Sequence, residues 1–309
     1  MTEDFSTPNK ILKTYRDGFI GSICDAEDTA VLLGELKHPL FGAAAYGLYG
    51  SGEGKLSLPF KSLQKFDPGF GPVERQTTGD CVSHSTRNAV DITRAVEIDI
   101  KGEPEGFVAR GATEGIYQSR GHKGQGMSCS VAARYTAQKG GILLRKDYGS
   151  VDLSKYNSSL GANHRIPNAI YITEANKHQV NTISMITTIE EARDALANGY
   201  AISVCSGYGF SSRRDKNGIA KRGSGWNHAM AWIACDDSKE ILNETLFLVQ
   251  NSWGKWNSGP KRHDQPDGSF WIREKDARGM LAGRGSLVFS DVDGFPSKKL
   301  PDYGTPTFL

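Results

Sequence analysis

Gln250-Asn251-Ser252-Trp253-Gly254 closes a candidate strand, Thr245–Asn251, and an earlier candidate strand opens at Asn227-His228-Ala229-Met230. The polar run Asp236-Asp237-Ser238-Lys239-Glu240 lies midway between them. Two apolar strands folded back about that run make a hairpin whose open end sets His228 opposite Asn251. An imidazole beside an amide acceptor is a base with its orienter, and it needs a nucleophile. Upstream, Gln76-Thr77-Thr78-Gly79-Asp80-Cys81 puts a cysteine after a glycine-containing turn. The spacing of Ala89, Ile92 and Val96 predicts a helix that begins at about Cys81, with Asp80 as its N-cap.

A thiol at a helix N-terminus ionises more readily, because the dipole and the free amides favour the thiolate, and an adjacent imidazolium helps further. Cys81 would then attack a carbonyl, and His228 would protonate the leaving amine. Asn251 would fix the ring of His228, and Trp253 would keep water off that bond. The Cys81 N–H and the Gln76 side-chain amide would form an oxyanion hole. Each residue alone has a plainer reading. Cys81 could be a small buried hydrophobe, His228 beside Trp226 and Met230 a core histidine, Gln76 a turn residue, and the Asn-Ser-Trp-Gly run a strand end. The ordered set favours catalysis.

Other candidates carry less. His84 lies one turn beyond Cys81, but two potential ligands do not make a zinc site, so no metal and no cofactor are expected. His122 sits in a glycine-rich loop, and Gly124-Gln125-Gly126 lacks the strand–turn–helix setting of a phosphate loop.

The 309 residues are 38% hydrophobic and 23% charged, ordinary for a chain with a real core, and the net charge of +2 gives no argument for nucleic acid or membrane partners. The five cysteines include no C-x-x-C pair. That argues against a disulfide framework, and Cys129 and Cys205 read as buried structural thiols. Met1-Thr2-Glu3-Asp4-Phe5 is not the start of a signal peptide, and the strongest apolar stretch, Ala229–Cys235, is far too short to span a membrane. A reducing, cytoplasmic setting is the expectation.

The organisation read from the chain is α+β. Residues 1–65 form a Gly-rich N-terminal extension, with Gly42, Gly47, Gly50, Gly52 and Gly54 crowded into Phe41–Lys55. This is loop composition, and no long amphipathic helix supports a pro-segment, so a surface-hugging arm is expected. Residues 66–289 form the main domain, with a helical lobe over about 66–180 and a sheet-rich lobe over about 181–289. A second helix from about Ser128 should end at Gly140-Gly141, and a third should start with a Thr188/Glu191 capping box and end at Gly199. Strands are expected at Ala201–Cys205, His228–Ala234, Thr245–Asn251 and Ser269–Arg273. Residues 290–309 read as an extended tail.

These motifs resemble the papain-like cysteine peptidases. Gln250-Asn251-Ser252-Trp253-Gly254-Lys255-Trp256 is the most specific match, and Asp267-Gly268-Ser269-Phe270-Trp271-Ile272 resembles the family's following strand. Pro72-Val73-Glu74-Arg75-Gln76 resembles the lead-in to the oxyanion glutamine. Gly126-Met127-Ser128 resembles the segment at the substrate-binding glycines. The likeness spans roughly Phe70 to Phe289. It implies a two-lobe fold with a cleft, Cys81, His228, Asn251 and Gln76 as the catalytic set, Gly126 and Trp253 beside the substrate, and a polypeptide substrate. Three departures stand out: the Gln76-to-Cys81 spacing is one position shorter than usual, Val82 replaces the usual tryptophan, and the family's disulfides are missing. The style is similar to divergent members from bacteriophages and environmental bacteria. The rival reading is a structural or assembly protein, for example of a virion, whose arm and tail make homo- or hetero-oligomeric contacts.

Overall fold

A computed structural model describes residues 22–23, 26–68, 74–101, 106–304. Cys24, the Pro72-Val73 lead-in, the N-terminal start and the end of the tail lie outside the described residues.

A seven-stranded antiparallel sheet forms one lobe. Its strands are β2 (Leu56–Ser57), β4 (Thr182–Met185), β5 (Ile202–Arg214), β6 (Ala220–Asp236), β7 (Leu246–Gln250), β8 (Ser269–Arg273) and β9 (Ser286–Ser290), with order β4-β9-β5-β6-β7-β8 and β2 on β6. The first and third strands of the chain, β1 (Ser22–Ile23) and β3 (Met127–Ser128), pair separately and in parallel. The principal helices are α1 (Ala26–Glu35), α2 (Cys81–Lys101), α3 (Cys129–Gln138), α4 (Ile189–Ala197) and α5 (Glu274–Leu281).

Alternation along the central strands explains how the lobes meet. On β6, Ala229, Ala231 and Ile233 face the core shared with α2, while Met230 and Trp232 face the core beneath α4 and α5. Leu246 and Leu248 alternate with Phe247 and Val249 on β7 in the same way. Side chains of a strand point to opposite faces in turn, so a strand buried on both sides reads as a continuous apolar run. The small residues Ala229 and Ala231 are on the side that lets the helix approach the sheet. Ser85 of α2 and Ser203 of β5 hydrogen-bond across this seam at 2.8 Å.

The expected helix at Cys81 is present, and Ala89, Ile92 and Val96 are fully buried. The apolar face is only half of the helix, however. His84, Arg87, Asn88, Asp91, Arg94 and Glu97 are buried as well. Their partners lie elsewhere in the chain: Arg87 is 3.1 Å from Glu74, Arg94 donates to the Ala109 carbonyl at 2.8 Å, and Asp91 accepts from the Gly111 N–H at 2.9 Å. Burying such groups costs little only when they are paired.

Ser128 caps α3, accepting from the Val131 N–H, and Gly140 follows it at φ +69°. The Thr188/Glu191 capping box opens α4 as expected. Ser269–Arg273 is a strand with those limits, whereas β5 and β6 run far beyond the expected segments. His228 therefore lies inside β6 and does not open it. The extra length is a bulged β5–β6 hairpin whose polar residues, Lys221 to Gly225, read as loop because this part of the ribbon is exposed.

Three further expectations change. Residues 26–35 form a helix with Leu32 in the core, and Phe41–Ala44 is a short helix despite Gly42. The glycine run is docked by its backbone: the Gly50 and Gly52 N–H groups donate to Asp194 at 2.8 and 3.0 Å, and that of Gly54 donates to Asp237 at 2.7 Å. A Cβ on Gly52 would come 2.8 Å from the Arg193 carbonyl oxygen. The tail is also tied down, because Lys298 Nζ lies 2.5 Å from Glu97 Oε1 and the Tyr303 N–H donates to the Leu56 carbonyl.

Cys129 and Cys205 are not separate thiols. They form a disulfide with Cα atoms 6.5 Å apart, joining the start of α3 to β5 and so one lobe to the other. Their distance in sequence hid the pairing. Its loss should destabilise the chain by about 3 kcal/mol, because it closes a long loop. Thermal unfolding with and without reductant, beside alkylation mass mapping, checks this. Ready alkylation of both cysteines in the unreduced chain would refute the pairing.

Candidate active site

Cys81 is the first residue of α2, at 0% exposure, and the helix lies against β5 and β6. Its approach is a turn clamped on two sides. Gln125 Oε1 accepts from Thr78 Oγ1 at 2.8 Å and from the Gly79 N–H at 2.6 Å. On the other side, the Thr77 N–H donates to Tyr156 Oη at 3.1 Å, and Tyr156 donates to Asp80 Oδ2 at 2.8 Å. Asp80 holds the expected N-cap position, its carbonyl accepting from the His84 N–H at 3.2 Å, but its side chain makes no cap bond. Its carboxylate faces Tyr156 and, at 3.6 Å, His84 Nε2. Gln125 and Tyr156 were not legible as site residues, because nothing in their own neighbourhoods points to a turn 46 or 79 residues away.

His228 comes from the sheet lobe. Antiparallel pairing of Ala231 with Gln250 and Trp232 with Val249 forms the expected hairpin, which carries His228 and Asn251 beyond its last pair. Nε2–H of His228 donates to Asn251 Oδ1 at 2.8 Å. That oxygen also accepts the Ser252 N–H at 2.7 Å, which fixes the amide's orientation. Nδ1 is the ring nitrogen left to serve the thiol. The Trp253 ring covers the pair, with centroids 4.6 Å apart and planes inclined by 33°. A hydrogen bond kept from water in this way is electrostatically stronger. Burial lowers His228 to about 3, against the hydrogen bond to Asn251, which raises it; His84 lowers it further. The ring is therefore neutral in this closed arrangement.

Gln76 is fully buried at the junction of these parts. Its Oε1 accepts from Ser252 Oγ at 2.5 Å and from Trp253 Nε1 at 3.1 Å, and its backbone N–H donates to the Ser252 carbonyl at 2.9 Å. Its Nε2 donates one proton to the Thr78 carbonyl at 2.8 Å, so the second is on a fixed amide. The short turn to Cys81 is thus accommodated by anchoring Gln76 to the Asn-Ser-Trp strand end. Gly126, at φ +81°, precedes β3 on the helical side. His122 is exposed. Among the described residues no group of three or more metal-ligating side chains occurs.

Beneath the turn lies a buried charge network. Arg145 grips Glu74 with two bonds, at 2.6 and 3.0 Å, and reaches Glu114 at 2.5 Å. Burial opposes ionisation of Glu74, but Arg87, Arg145 and Arg110 hold its carboxyl well below the usual carboxylate range.

No protein-family model matches the chain, and no curated protein matches it in sequence. Solved structures do match. Xylellain, a cysteine protease from Xylella fastidiosa, superposes with a TM-score of 0.50 at 17% identity, over 77% of this chain and 86% of that one. The chain has a papain-like fold. Procathepsin B S9 from Trypanosoma congolense is also similar, with a TM-score of 0.48, 12% identity and coverage of 78% of each chain. Digestive procathepsin L 3 of Tenebrio molitor gives a TM-score of 0.44 and 12% identity, over 72% of this chain and 67% of that one. At these identities the likeness is one of fold, and the papain-like chain's chemistry has to be argued from its own residues.

Gln76→Glu keeps the two acceptor contacts of this papain-like site and removes the Nε2 donor, its bond to the Thr78 carbonyl included. A carboxylate can still accept from Ser252 and Trp253, but it presents no N–H to a developing oxyanion. The expected result is a fall in kcat of about a hundred- to a thousandfold with KM little changed. Steady-state kinetics on a peptide substrate measures it, and an unchanged kcat removes Gln76 from the oxyanion hole.

Among the described residues no helix is long and apolar enough to cross a membrane.

Proposed function

We propose that the chain is a papain-like cysteine peptidase present here in a latent, closed form. The observation that carries this reading is the Trp253-covered bond from His228 to Asn251, on a strand that packs against the helix that starts with Cys81. In the open enzyme His228 Nδ1 takes the Cys81 proton, and the thiolate attacks the substrate carbonyl. The tetrahedral oxyanion is met by the Cys81 N–H and Gln76 Nε2, and the imidazolium then protonates the leaving amine. Water releases the acyl group by the reverse route. The substrate is a peptide or isopeptide amide.

Latency is argued from β1. Its backbone pairs in parallel with Met127 and Ser128, directly after Gly126, and the same strand lies against β5 and β6 of the other lobe. A segment that pairs with the strand after Gly126 on one lobe and lies against the sheet of the other would occupy the place a substrate needs, in keeping with the complete burial of Cys81 and His228. The N-terminal region then acts as a pro-segment, and we read the rival assembly function as secondary.

A thiol-directed epoxide or vinyl sulfone, read by mass spectrometry across pH, tests the reading. One adduct is expected, on Cys81 and not on Cys24 or on Cys235, the other buried free thiol among the described residues. Because His228 is depressed to about 3 in the closed form and titrates near 6.5 when released, protonation disfavours the closed form progressively as pH falls from about 6.5 towards 3. Labelling should therefore accelerate between pH 7 and about 5, where a simple exposed thiol slows. No preference for Cys81 would move the chain to the assembly reading.

A further inference from the structure

The β5–β6 hairpin holds a second concavity at its turn end. It has a volume of about 760 Å³, between the hairpin, the end of β8 and the first turn of α5. Six cationic side chains line it, Arg213, Arg214, Lys221, Arg222, Arg273 and Lys275, against two carboxylates, Asp215 and Asp276. This excess of four positive charges sits in a chain whose net charge is only +2.

Not all six cations are available. Arg214 is consumed by the fold, donating to the carbonyls of Gly259, Pro260 and Ser269 and to Asn257 Oδ1. Arg273 pairs with Glu244 at 2.6 Å. Arg213, Lys221 and Lys275 are exposed and have no ion-pair partner among the described residues. Arg222 lies 3.8 Å over the Tyr208 ring and also lacks a carboxylate partner there. The anions are less free: Asp215 accepts the N–H groups of Asn217 and Ile219 at 2.8 and 3.0 Å, and Asp276 is buried.

We infer that this cavity docks an acidic segment of the polypeptide substrate; the inference rests on the peptidase reading above. The volume exceeds what a single phosphate or carboxylate fills, and the four available cations are spread over two strands and a helix, as a run of carboxylates requires. Base recognition would need a free aromatic face. Tyr208 is the ring at this site, and Arg222 already covers it. The position suits a tethered substrate too. β6 runs from the cavity at Ala220 to His228 through the bulged part of the hairpin, at most roughly 26 Å at about 3.3 Å per residue. An extended substrate with acidic residues about eight positions from its cleaved bond spans that length. Clustered cations around a concave wall raise the local concentration of such a segment and its rate of encounter.

The test uses the full chain carrying Cys81→Ala and a fluorescently labelled oligo-glutamate peptide, with binding read by anisotropy. Binding is expected, weakened by about 0.5 M salt. It should fall about tenfold or more in the triple variant Arg213→Glu, Lys221→Glu, Lys275→Glu, whose side chains are exposed. With the active chain, a peptide bearing an acidic tail should show a kcat/KM about tenfold above its tail-less twin, and the triple variant should erase the difference. No binding, or binding untouched by the triple variant, overturns the site. Tighter capture of a single-stranded oligonucleotide or a sulfated saccharide than of the peptide overturns the acidic-peptide assignment. Binding by Cys81→Ala, with turnover of neither peptide by the chain that keeps Cys81 whether or not residues 1–25 are deleted, keeps the site and overturns the peptidase reading alone.

Discussion

Replacing Cys81 with alanine lowers turnover of a fluorogenic peptide by about ten-thousandfold or more while the fold survives. The thiol is the one group in the site able to form the acyl-enzyme, and no neighbour can substitute for it. His84 and His228 are bases, and Cys235 is buried on β6 with its thiol pushed well up by burial and by the Asp237 and Asp236 carboxylates. The structural cost is small. Cys81 is fully buried, so the change removes one sulfur from a packed site, worth about 1 kcal/mol. Its place at the first position of α2 leaves the helix register untouched. Turnover assayed beside thermal unfolding separates the two effects. Full turnover in Cys81→Ala would end the thiol mechanism. His228→Ala should lose turnover to a similar degree, since residues acting as one unit are not additive.

Releasing β1 should raise the rate of Cys81 labelling on the order of a hundredfold, the upper part of what a coupling of about 1–3 kcal/mol delivers. Two variants do this differently. Deleting residues 1–25 removes the strand and spares α1, whose Leu32 belongs to the core. Ile23→Pro keeps the chain length and removes one backbone donor at the position paired with Ser128. Each opens the cleft without touching Cys81, His228, Asn251 or Gln76. Mass-spectrometric labelling rates on the three proteins measure the effect. Equal rates in all three would mean that the lobes bury Cys81 unaided, and the pro-segment reading would fall. A gain in the deletion with none in Ile23→Pro would place the occlusion in contacts other than the β1–β3 pairing.

Much of the site was readable because its logic is local or periodic. The helix at Cys81 declares itself by Ala89, Ile92 and Val96, and α4 by a Thr188/Glu191 box closed within one turn. The His228–Asn251 hairpin follows from two apolar runs about a polar midpoint. A short-range pattern can be read wherever the partner is a few residues away or the period is fixed by backbone geometry. The failures share the opposite property. Asp80 is at the N-cap, but its carboxylate does not cap, because Tyr156, 76 residues on, takes it. The burial of the polar face of α2 was not legible, because Glu74, Ala109 and Gly111 supply its partners. Cys129 and Cys205 looked like separate thiols because their bond spans 76 residues. The glycine-rich run read as a surface-hugging arm, and the carboxylates of Asp194 and Asp237 that dock it lie too far along the chain to be read from it.

Residue order and periodicity alone established an α+β chain with a cysteine at a helix start, a histidine and asparagine on one hairpin, and a glutamine upstream. These follow from backbone geometry, which acts over a few residues. The tertiary structure decided which polar groups are buried with partners, that a disulfide joins the lobes, that Gln76 is held by Ser252 and Trp253, and that β1 lies across the seam. Each of these depends on pairing between distant segments, whose desolvation and hydrogen bonding are settled only when the core closes and brings them together.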